Sequence, residues 1–220
     1  MNSWQCSPDE IIPPIFQHDE NLRENYSLIA GIDEAGRGPL AGPVVAAAVI
    51  LRRGTLIDGV RDSKKIPEKH RKSVFWKIIR NALSVGVGIV GANVIDSINI
   101  LQATKHAMGF AVKDLTIRPD LLLIDAVKLP DVDIKQQSFI KGESVSASIA
   151  AASVVAKIVR DDIMLGYHEQ YPDYNFRGHK GYSTKEHMEN IRSFGPCAIH
   201  RKSFRKVMDV QLPLNHGENS

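Results

Sequence analysis

The 220-residue sequence predicts a mixed α/β fold, in which one sheet is flanked by helices. Two observations support this fold class. Five short apolar segments, bounded by glycine, proline or polar residues, are typical of strands. The segments around them repeat apolar residues at helical spacing. The predicted order is three strands, a helix-rich middle, two strands and a helix, so the sheet is expected to be mixed rather than strictly parallel.

The strands are predicted from their apolar runs. SLIAGIDE (27–34) and PVVAAAVIL (43–51) are separated by a connection rich in glycine and proline. SVGVGIVGA (84–92) is the third, and its glycines indicate a close approach of another backbone. The continuous apolar run DLLLIDAV (120–127) predicts a fully buried strand, and QQSFIKG (136–142) a short fifth one.

Three helices are predicted between and after these strands. Residues 67–83 and 99–115 carry apolar residues three and four apart, and the second helix is expected to turn Ala107 and Phe110 inward. Residues 144–165 are dense in alanine and serine, so this long helix can lie close against a sheet.

The chain is divided into four parts by composition. Residues 1–26 are polar, contain proline and lack a clear period, so they are expected to form an N-terminal arm. The main α/β domain is predicted over 27–165, a smaller helical extension rich in aromatic and basic residues over 166–208, and a flexible tail over 209–220.

Composition limits the classes of protein to consider. The chain is 43% hydrophobic and 24% charged, as in an ordinary globular protein. A net charge of +3 is compatible with nucleic-acid binding without establishing it. Two cysteines exclude a disulfide framework. With no secretion signal and no membrane-spanning window, the chain is expected to be cytoplasmic and not to bind membranes.

Acidic residues stand where predicted strands end. Asp33 and Glu34 close the first strand, Asp125 closes the fourth, and Glu143 follows the fifth. An acid at the end of one element is usually structural, often as a helix cap. Acids at the tips of neighbouring strands would instead meet at one edge of the sheet, where they repel unless a cation lies between them. Oxygen ligands favour Mg²⁺ or Mn²⁺.

Such a carboxylate cluster favours phosphodiester hydrolysis. Two metal ions about 3.5–4 Å apart can activate water and neutralise the leaving oxygen without a protein nucleophile. The sequence has no G-x-S-x-G motif, no dinucleotide fingerprint and no G-x-x-x-x-G-K-[ST] loop. These absences weigh against a serine hydrolase and against a nucleotide-cofactor enzyme.

A glycine-rich run follows the first acids. Gly36 and Gly38 let backbone groups come within hydrogen-bond distance of a ligand, because no Cβ blocks the approach. Arg37 between them can bind a phosphate. A tight turn that carries a surface arginine would look the same.

Two basic segments are further candidates for substrate contact. Ser63 and Lys64 lie in a turn before a helix, where they can hold a phosphate or simply be solvated. In HKGYSTKEH, Tyr182 stands among cations and can stack on a sugar or base while Lys180 meets the backbone. A half-buried packing role for Tyr182 is the alternative.

Seven motifs together resemble bacterial type 2 ribonuclease H, the ribonuclease HII family, from about residue 27 to 207. They are GIDEAGRGPLAGPVVAAAVIL, DSKK, NILQATKHAM, LLLIDAVKLP, KGES…SIAAASVVAKIVRD, HKGYSTKEH and HRKSF. The resemblance implies the ribonuclease H-like fold, which is a mixed five-stranded sheet flanked by helices with a C-terminal helical extension.

The resemblance also implies an activity. The expected enzyme is a metal-dependent endonuclease that hydrolyses the RNA strand of RNA–DNA hybrids and nicks duplex DNA 5′ to an embedded ribonucleotide. Its products carry 3′-hydroxyl and 5′-phosphate ends, it uses Mg²⁺ or Mn²⁺, and it serves ribonucleotide removal and RNA primer processing. We expect it to act as a monomer.

Residue roles follow from matching positions. Asp33, Glu34 and Asp125 match three of the family's four metal-binding acids. The fourth departs from the pattern, because Glu143 stands where the family usually has aspartate. Activity is expected to survive, with an altered metal preference. Asp161, in an Arg-Asp pair several helical turns away, is expected to be structural.

The substrate contacts are matched in the same way. Gly36-Arg37-Gly38 matches the reader of the ribose 2′-hydroxyl, which is the only group that separates a ribonucleotide from its deoxy neighbour. Tyr182 matches the tyrosine that stacks on the deoxyribose 3′ to the ribonucleotide. Ser63 and Lys64 match phosphate contacts.

Three other readings stay open at this point. The same sheet and metals could serve a polynucleotidyl transferase or an exonuclease. Glu143 could have ruined the fourth ligand, which would leave a protein that only binds hybrids.

A separate prediction concerns the tail. The segment QLPL (211–214) resembles short peptides that dock on the bacterial sliding clamp, and it predicts a weak contact through the tail.

Overall fold

The structure is a computed structural model that describes residues 12–60 and 67–210. Its centre is a five-stranded sheet in the order β3-β2-β1-β4-β5. β1 pairs antiparallel with β2, and β2 with β3, whereas β1, β4 and β5 run parallel. The strands are β1 (Ile29–Ala35), β2 (Val44–Leu51), β3 (Ala82–Val90), β4 (Leu121–Asp125) and β5 (Lys135–Phe139). The predicted mixed sheet is confirmed.

Helices cover both faces of the sheet and form the C-terminal part. They are α1 (Pro14–Leu22), α2 (Glu68–Asn81), α3 (Ala92–Asp114), α4 (Ala147–Gln170), α5 (Phe176–His179), α6 (Lys185–Phe194) and α7 (Arg205–Met208). Short 3₁₀ turns occupy Gly142–Ser144 and Pro172–Tyr174. No helix in the described part of the chain is long and apolar enough to cross a membrane.

Strand β2 is buried along its whole length because both of its faces are covered. Side chains alternate between the faces of a strand. Ala47 and Val49 therefore belong to the core cluster shared with α4, whereas Ala48 and Ile50 belong to the cluster shared with α3. A near-continuous apolar sequence is what a strand between two helical layers requires.

Glycines on the strands allow helices to approach the sheet very closely. A Cβ on Gly31 of β1 would lie 2.0 Å from the carbonyl carbon of Ser148 in α4. A Cβ on Gly88 of β3 would lie 1.9 Å from the carbonyl oxygen of Ala107 in α3. The expected close packing of the alanine- and serine-rich helix and of the third strand is confirmed.

Helix α1 lies in the segment for which the sequence predicts only an arm. Phe16 is buried in the core cluster that includes α4. Asp19 is 2% exposed and accepts hydrogen bonds from the backbone N–H of Ser148, at 2.8 Å, and from its hydroxyl, at 2.7 Å. The segment is too short and polar to show a period, but one aromatic residue and one carboxylate dock it on α4.

Helix α3 begins earlier than the sequence predicts. Asn99, the predicted start, has a φ of 67° and interrupts the helix, so a first helical segment precedes it. Its Oδ1 accepts hydrogen bonds from the N–H groups of Leu101 and Gln102, which caps the second segment. The expectation that Phe110 turns inward is wrong, since this residue is 46% exposed.

Two helix ends also differ from the sequence prediction. The helix predicted over 67–83 ends at Asn81, and β3 begins at the next residue. Helix α4 continues to Gln170, beyond the predicted end at 165. Near its C-terminal end, Met164 packs in a separate core cluster with Phe176 and Ile191. This cluster holds the small C-terminal helices against the end of α4.

Candidate active site

Asp33 and Asp125 lie at adjacent strand ends because β1 and β4 are parallel and in register. Ile32 pairs with Ile124, so the next residue on each strand is one of the two aspartates. The Oδ1 atom of Asp125 accepts a hydrogen bond of 2.7 Å from the N–H of Gly142. This bond brings the 3₁₀ turn that follows β5 to the same edge of the sheet.

Glu143 comes from that turn. Lys141 before it has a φ of 58°, which reverses the chain and directs the turn back over the strand ends. Glu143 is buried, and its Oε2 accepts a hydrogen bond of 3.1 Å from the hydroxyl of Ser153 on α4. An acid distant in sequence is thus held beside the two aspartates by a helix that packs on β1.

Glu34 is the second acid of β1. Its backbone N–H donates to Oδ1 of Asp33 at 2.7 Å, and its Oε1 accepts from Nη1 of Arg37 at 3.3 Å. Arg37 is therefore tied to the acidic site by this contact.

These acids line one cavity of about 280 Å³ at the end of the sheet. Its wall is formed by Asp33, Glu34, Ala35, Gly36, Arg37, Gly38, Arg71, Asp125, Glu143, Ser153, Lys157 and Tyr182. The predicted acids, the glycine-rich run and Tyr182 thus face the same space. Lys180 is not part of this wall, and its Nζ donates to the carbonyl of Arg177. Ser63 and Lys64 lie outside the described residues.

The cavity is electrostatically unfavourable for its own acids. Burial raises the pKa of Asp33 well above its ordinary value, and repulsion from Glu34 and Asp125 raises it further. Burial also raises the pKa of Glu34, although the Arg37 guanidinium partly opposes the increase. A cation in the cavity would relieve this repulsion.

An all-oxygen donor set suits a hard divalent cation. The acids come from two strands and a turn, so their side chains reach the cavity from different sides. In the described part of the chain, no three acidic, histidine or cysteine side chains are close enough together to form a complete ligand set. The residues therefore fit a metal site in charge and chemistry, but they do not form a closed cage.

Four residues of the cavity wall were not predicted from the sequence: Ala35, Arg71, Ser153 and Lys157. The sequence does contain a pattern that could have indicated Lys157, because this residue is the one charge in the apolar run of α4 before Arg160. Its Nζ donates to Asp161 at 2.7 Å. Asp161 itself does not line the cavity, as its predicted structural role requires.

The glycine-rich loop needs glycine at its first position for steric reasons. Gly36 has a φ of 97°, and a Cβ there would lie 2.1 Å from Nε of Arg160. A Cβ on Gly38 would meet no atom within 4 Å, so the backbone at that position is open. The loop is thus closely packed against Arg160 at Gly36, whereas its backbone is open at Gly38.

The ring of Tyr182 lines the cavity, and its backbone carbonyl is hydrogen-bonded to His187. The side chain is 44% exposed. Its ring centroid lies 5.9 Å from Nζ of Lys157 and 5.8 Å from Cζ of Arg160. Its carbonyl accepts a hydrogen bond of 2.9 Å from Nδ1 of His187. A half-exposed ring between cations can stack on a sugar or base of an anionic strand.

Comparison with protein families gives a match over nearly the whole fold. The family model described as Ribonuclease HII matches residues 30–207. A ribonuclease HII of Acetivibrio thermocellus is 54% identical over 187 residues, which is 85% of this chain and 73% of that protein. A ribonuclease HII of Chlamydia abortus is 52% identical over 213 residues, which is 96% of this chain and all of that protein.

Solved structures share the fold at lower sequence identity. The ribonuclease H2 of Pyrococcus horikoshii superposes with a TM-score of 0.70 at 23% identity, over 83% of this chain and 96% of that one. The RNase HII of Archaeoglobus fulgidus, solved as a complex with PCNA, gives 0.64 at 24% identity, over 79% and 93%. Bst-RNase HIII in complex with Mn²⁺ gives 0.63 at 21% identity, over 82% and 68%.

Proposed function

The chain belongs to the ribonuclease HII family and is an endoribonuclease of RNA–DNA hybrids, and we propose that Asp33, Glu34, Asp125 and Glu143 form its reaction centre. One observation carries the proposal. These four acids come from two parallel strands and a 3₁₀ turn, yet they line a single cavity of about 280 Å³. A buried group of like charges is costly to maintain, and a cation-dependent reaction gives it a use.

The same four carboxylates would hold the divalent metal, Mg²⁺ or Mn²⁺. When bound, the metal activates a water and neutralises the leaving oxygen of a phosphodiester. Asp33 and Asp125 would hold the metal from the ends of adjacent strands, and Glu34 and Glu143 would complete the set of carboxylate ligands. Ser153 orients the Glu143 carboxylate through its hydroxyl.

The glycine-rich loop and Tyr182 would select the substrate. Gly36-Arg37-Gly38 would read the ribose 2′-hydroxyl, since a backbone without Cβ can offer both donors and acceptors to it. Tyr182 would stack on the deoxyribose that follows on the 3′ side. Their position on one cavity wall supports recognition of the step from RNA to DNA.

The proposed reaction is cleavage of the phosphodiester 5′ to a ribonucleotide, which leaves 3′-hydroxyl and 5′-phosphate ends. Its substrates are RNA–DNA hybrids and duplex DNA that contains ribonucleotides. Its roles would be ribonucleotide removal and RNA primer processing, carried out in the cytoplasm by a monomer.

A contact with the sliding clamp is a separate proposal. The segment 211–214 that resembles clamp-binding peptides lies outside the described residues. The related fold solved with PCNA supports the idea that such enzymes can meet a clamp. Deletion of 209–220 should weaken binding to the bacterial clamp in surface plasmon resonance, and unchanged binding would contradict it.

A duplex DNA with one embedded ribonucleotide tests the proposed function. End-labelling of both strands distinguishes an internal nick 5′ to the ribonucleotide, which we expect, from shortening at the ends, which an exonuclease of the same fold would produce. Ligation and phosphatase treatment of the products then identify the 3′-hydroxyl and the 5′-phosphate.

A further inference from the structure

Two arginines are completely buried beneath the loop of residues 36–43. Arg160 on α4 and Arg201, which follows α6, are both 0% exposed. Neither forms an ion pair with a carboxylate in the described part of the chain. Burial lowers the pKa of Arg201 to about 9, and the nearby charge of Arg160 contributes to the decrease. Burying two like charges costs free energy, which the hydrogen bonds of both guanidinium groups must offset.

All three nitrogens of the Arg201 guanidinium donate to carbonyls of this loop. Nε donates to Gly42 at 3.0 Å, Nη1 to Arg37 at 2.9 Å and Nη2 to Gly36 at 2.6 Å. One planar side chain therefore holds both ends of the loop at once. Lysine could not reproduce this, because its ammonium is a compact point charge and not a planar fork.

Arg160 holds the same loop from the side of α4. Its Nε donates to the carbonyl of Pro43 at 3.0 Å, and its Nη2 donates to Ala41 at 3.1 Å. The same Nη2 also donates to Lys180 at 3.1 Å, two residues before Tyr182. The segment 180–182 is further joined to the loop by the N–H of Leu40, which donates to Gly181 at 2.8 Å.

The direction of these bonds has a consequence for the cavity. In a trans peptide, the carbonyl of one residue and the N–H of the next point in opposite directions. When Arg201 draws the carbonyls of Gly36 and Arg37 inward, the N–H groups of Arg37 and Gly38 turn away from it. Neither N–H has a hydrogen-bond partner in the described part of the chain. They are available to a substrate.

We propose that Arg160 and Arg201 are positioning residues that join the 36–43 loop to the segment 180–182, so that the loop amides and the Tyr182 ring form one rigid reader of the RNA-to-DNA step. The inference rests on the proposed function of that loop and of Tyr182. Both arginines donate to backbone carbonyls and neither lines the cavity, and Arg160 also lies 5.8 Å from the centroid of the Tyr182 ring.

The test compares two substrates. One is duplex DNA with a single ribonucleotide, which presents ribose followed by deoxyribose. The other is a hybrid with an all-RNA strand, which lacks that step inside the strand. Selectivity is the ratio of kcat/KM for the first substrate to kcat/KM for the second, and overall loss of folded enzyme does not change it.

Arg201→Lys and Arg160→Lys keep the charge but lose the multiple bonds to the loop. We expect each variant to lower the selectivity ratio about tenfold, which corresponds to about 1.4 kcal/mol, mainly through KM for the single-ribonucleotide duplex. Tyr182→Ala should add little to this loss in the double variant, because residues that act as a unit are not additive.

Arg23→Lys is the matched control. Arg23 is also a buried arginine, it is paired with Glu20, and its Nη2 donates to the carbonyl of Leu51 at 2.9 Å, away from the cavity. Arg23→Lys should lower the melting temperature without changing the selectivity ratio.

Two results distinguish failure of the positioning role from failure of the proposed function. Equal loss on both substrates in Arg201→Lys and Arg160→Lys, as in Arg23→Lys, would overturn the positioning role and leave the arginines as structural residues. Wild-type enzyme that nicks neither substrate would instead contradict the proposed function. If Arg201→Lys does not fold, Arg160→Lys carries the same comparison.

Discussion

The hydroxyl of Ser153 on α4 donates a hydrogen bond of 3.1 Å to Oε2 of Glu143 on the 3₁₀ turn. The resemblance of the sequence to ribonuclease HII motifs predicts aspartate at the position of Glu143, whose extra methylene could have carried the carboxylate out of the site. It is only 8% exposed, so the longer side chain stays inside the cavity. The helix that packs on β1 therefore supports the acid that stands in place of the expected aspartate.

We expect Glu143 to act as a metal ligand, and not to have lost that role. Glu143→Gln should weaken the response of cleavage to Mg²⁺ and Mn²⁺ by more than the about tenfold typical of losing a group that only supports a ligand, because a carboxylate ligand is lost. Glu143→Asp should retain activity with a shifted preference between the two ions. Metal titrations of nicking measure both. An inactive wild type revived by Glu143→Asp would support the alternative that the chain only binds hybrids.

Ser153 is expected to tune metal affinity. Ser153→Ala removes the donor to Glu143, and loss of such a supporting hydrogen bond typically weakens metal binding about tenfold. The half-saturating Mn²⁺ concentration, from activity and from calorimetry, checks this. Ser148→Ala on the same helix is the control, since that hydroxyl donates to Asp19 and not to the cavity. Equal changes in both variants would refute a specific role.

Tyr182 is expected to act through its ring and not through its hydroxyl. Tyr182→Phe keeps the stacking surface and should nick a single-ribonucleotide duplex nearly as well as wild type. Tyr182→Ala loses the ring that would stack on the deoxyribose and should raise KM about tenfold, at the lower end of the about 1–3 kcal/mol that base–aromatic stacking contributes. Steady-state kinetics on that duplex decide. A Phe variant as defective as the Ala variant would point to the hydroxyl.

The C-terminal part should be sensitive to acid because of two buried histidines. His187 and His200 are joined by a hydrogen bond of 3.0 Å between their Nε2 atoms, and His187 also holds the carbonyl of Tyr182. Burial lowers the pKa of each of them to about 4. The unfolded chain, with an ordinary histidine pKa near 6.5, therefore takes up protons first as the pH falls.

Stability should consequently decrease as the pH falls from about 6.5 to about 4, by roughly 2.5 kcal/mol per histidine at pH 4.5. Urea unfolding at several pH values measures the slope. His200→Gln should be less stable at pH 7 but should show a shallower slope, whereas exposed His106→Gln should leave the slope unchanged. Identical slopes for wild type and His200→Gln would contradict this explanation.

Local sequence predicted the acids and the strands that carry them. A strand of apolar residues that ends on Asp33 and another that ends on Asp125 are visible as patterns, and parallel pairing then brings them together. The glycines that allow close helix packing were visible for the same reason. Each of these signals depends on a few neighbouring residues.

What the sequence missed depends on contacts between distant residues. Helix α1 is held by the pairing of Asp19 with Ser148, residues 129 positions apart, which no local period reveals. Arg201 binds the carbonyl of Gly36 across 165 positions. A basic residue near the C-terminus looks like a solvated charge until the fold buries it under the loop of residues 36–43.

The central claim is that one carboxylate cluster performs hydrolysis, and Asp125→Asn tests it most directly. This variant keeps the size of the side chain and an oxygen that can accept from the N–H of Gly142, while it removes the charge. The measurement is nicking of a duplex with one ribonucleotide in Mn²⁺, alongside binding of the same duplex by fluorescence anisotropy. The account predicts that nicking disappears while the dissociation constant stays within about threefold, well under one tenfold step of 1.4 kcal/mol. Undiminished nicking by purified Asp125→Asn would contradict it.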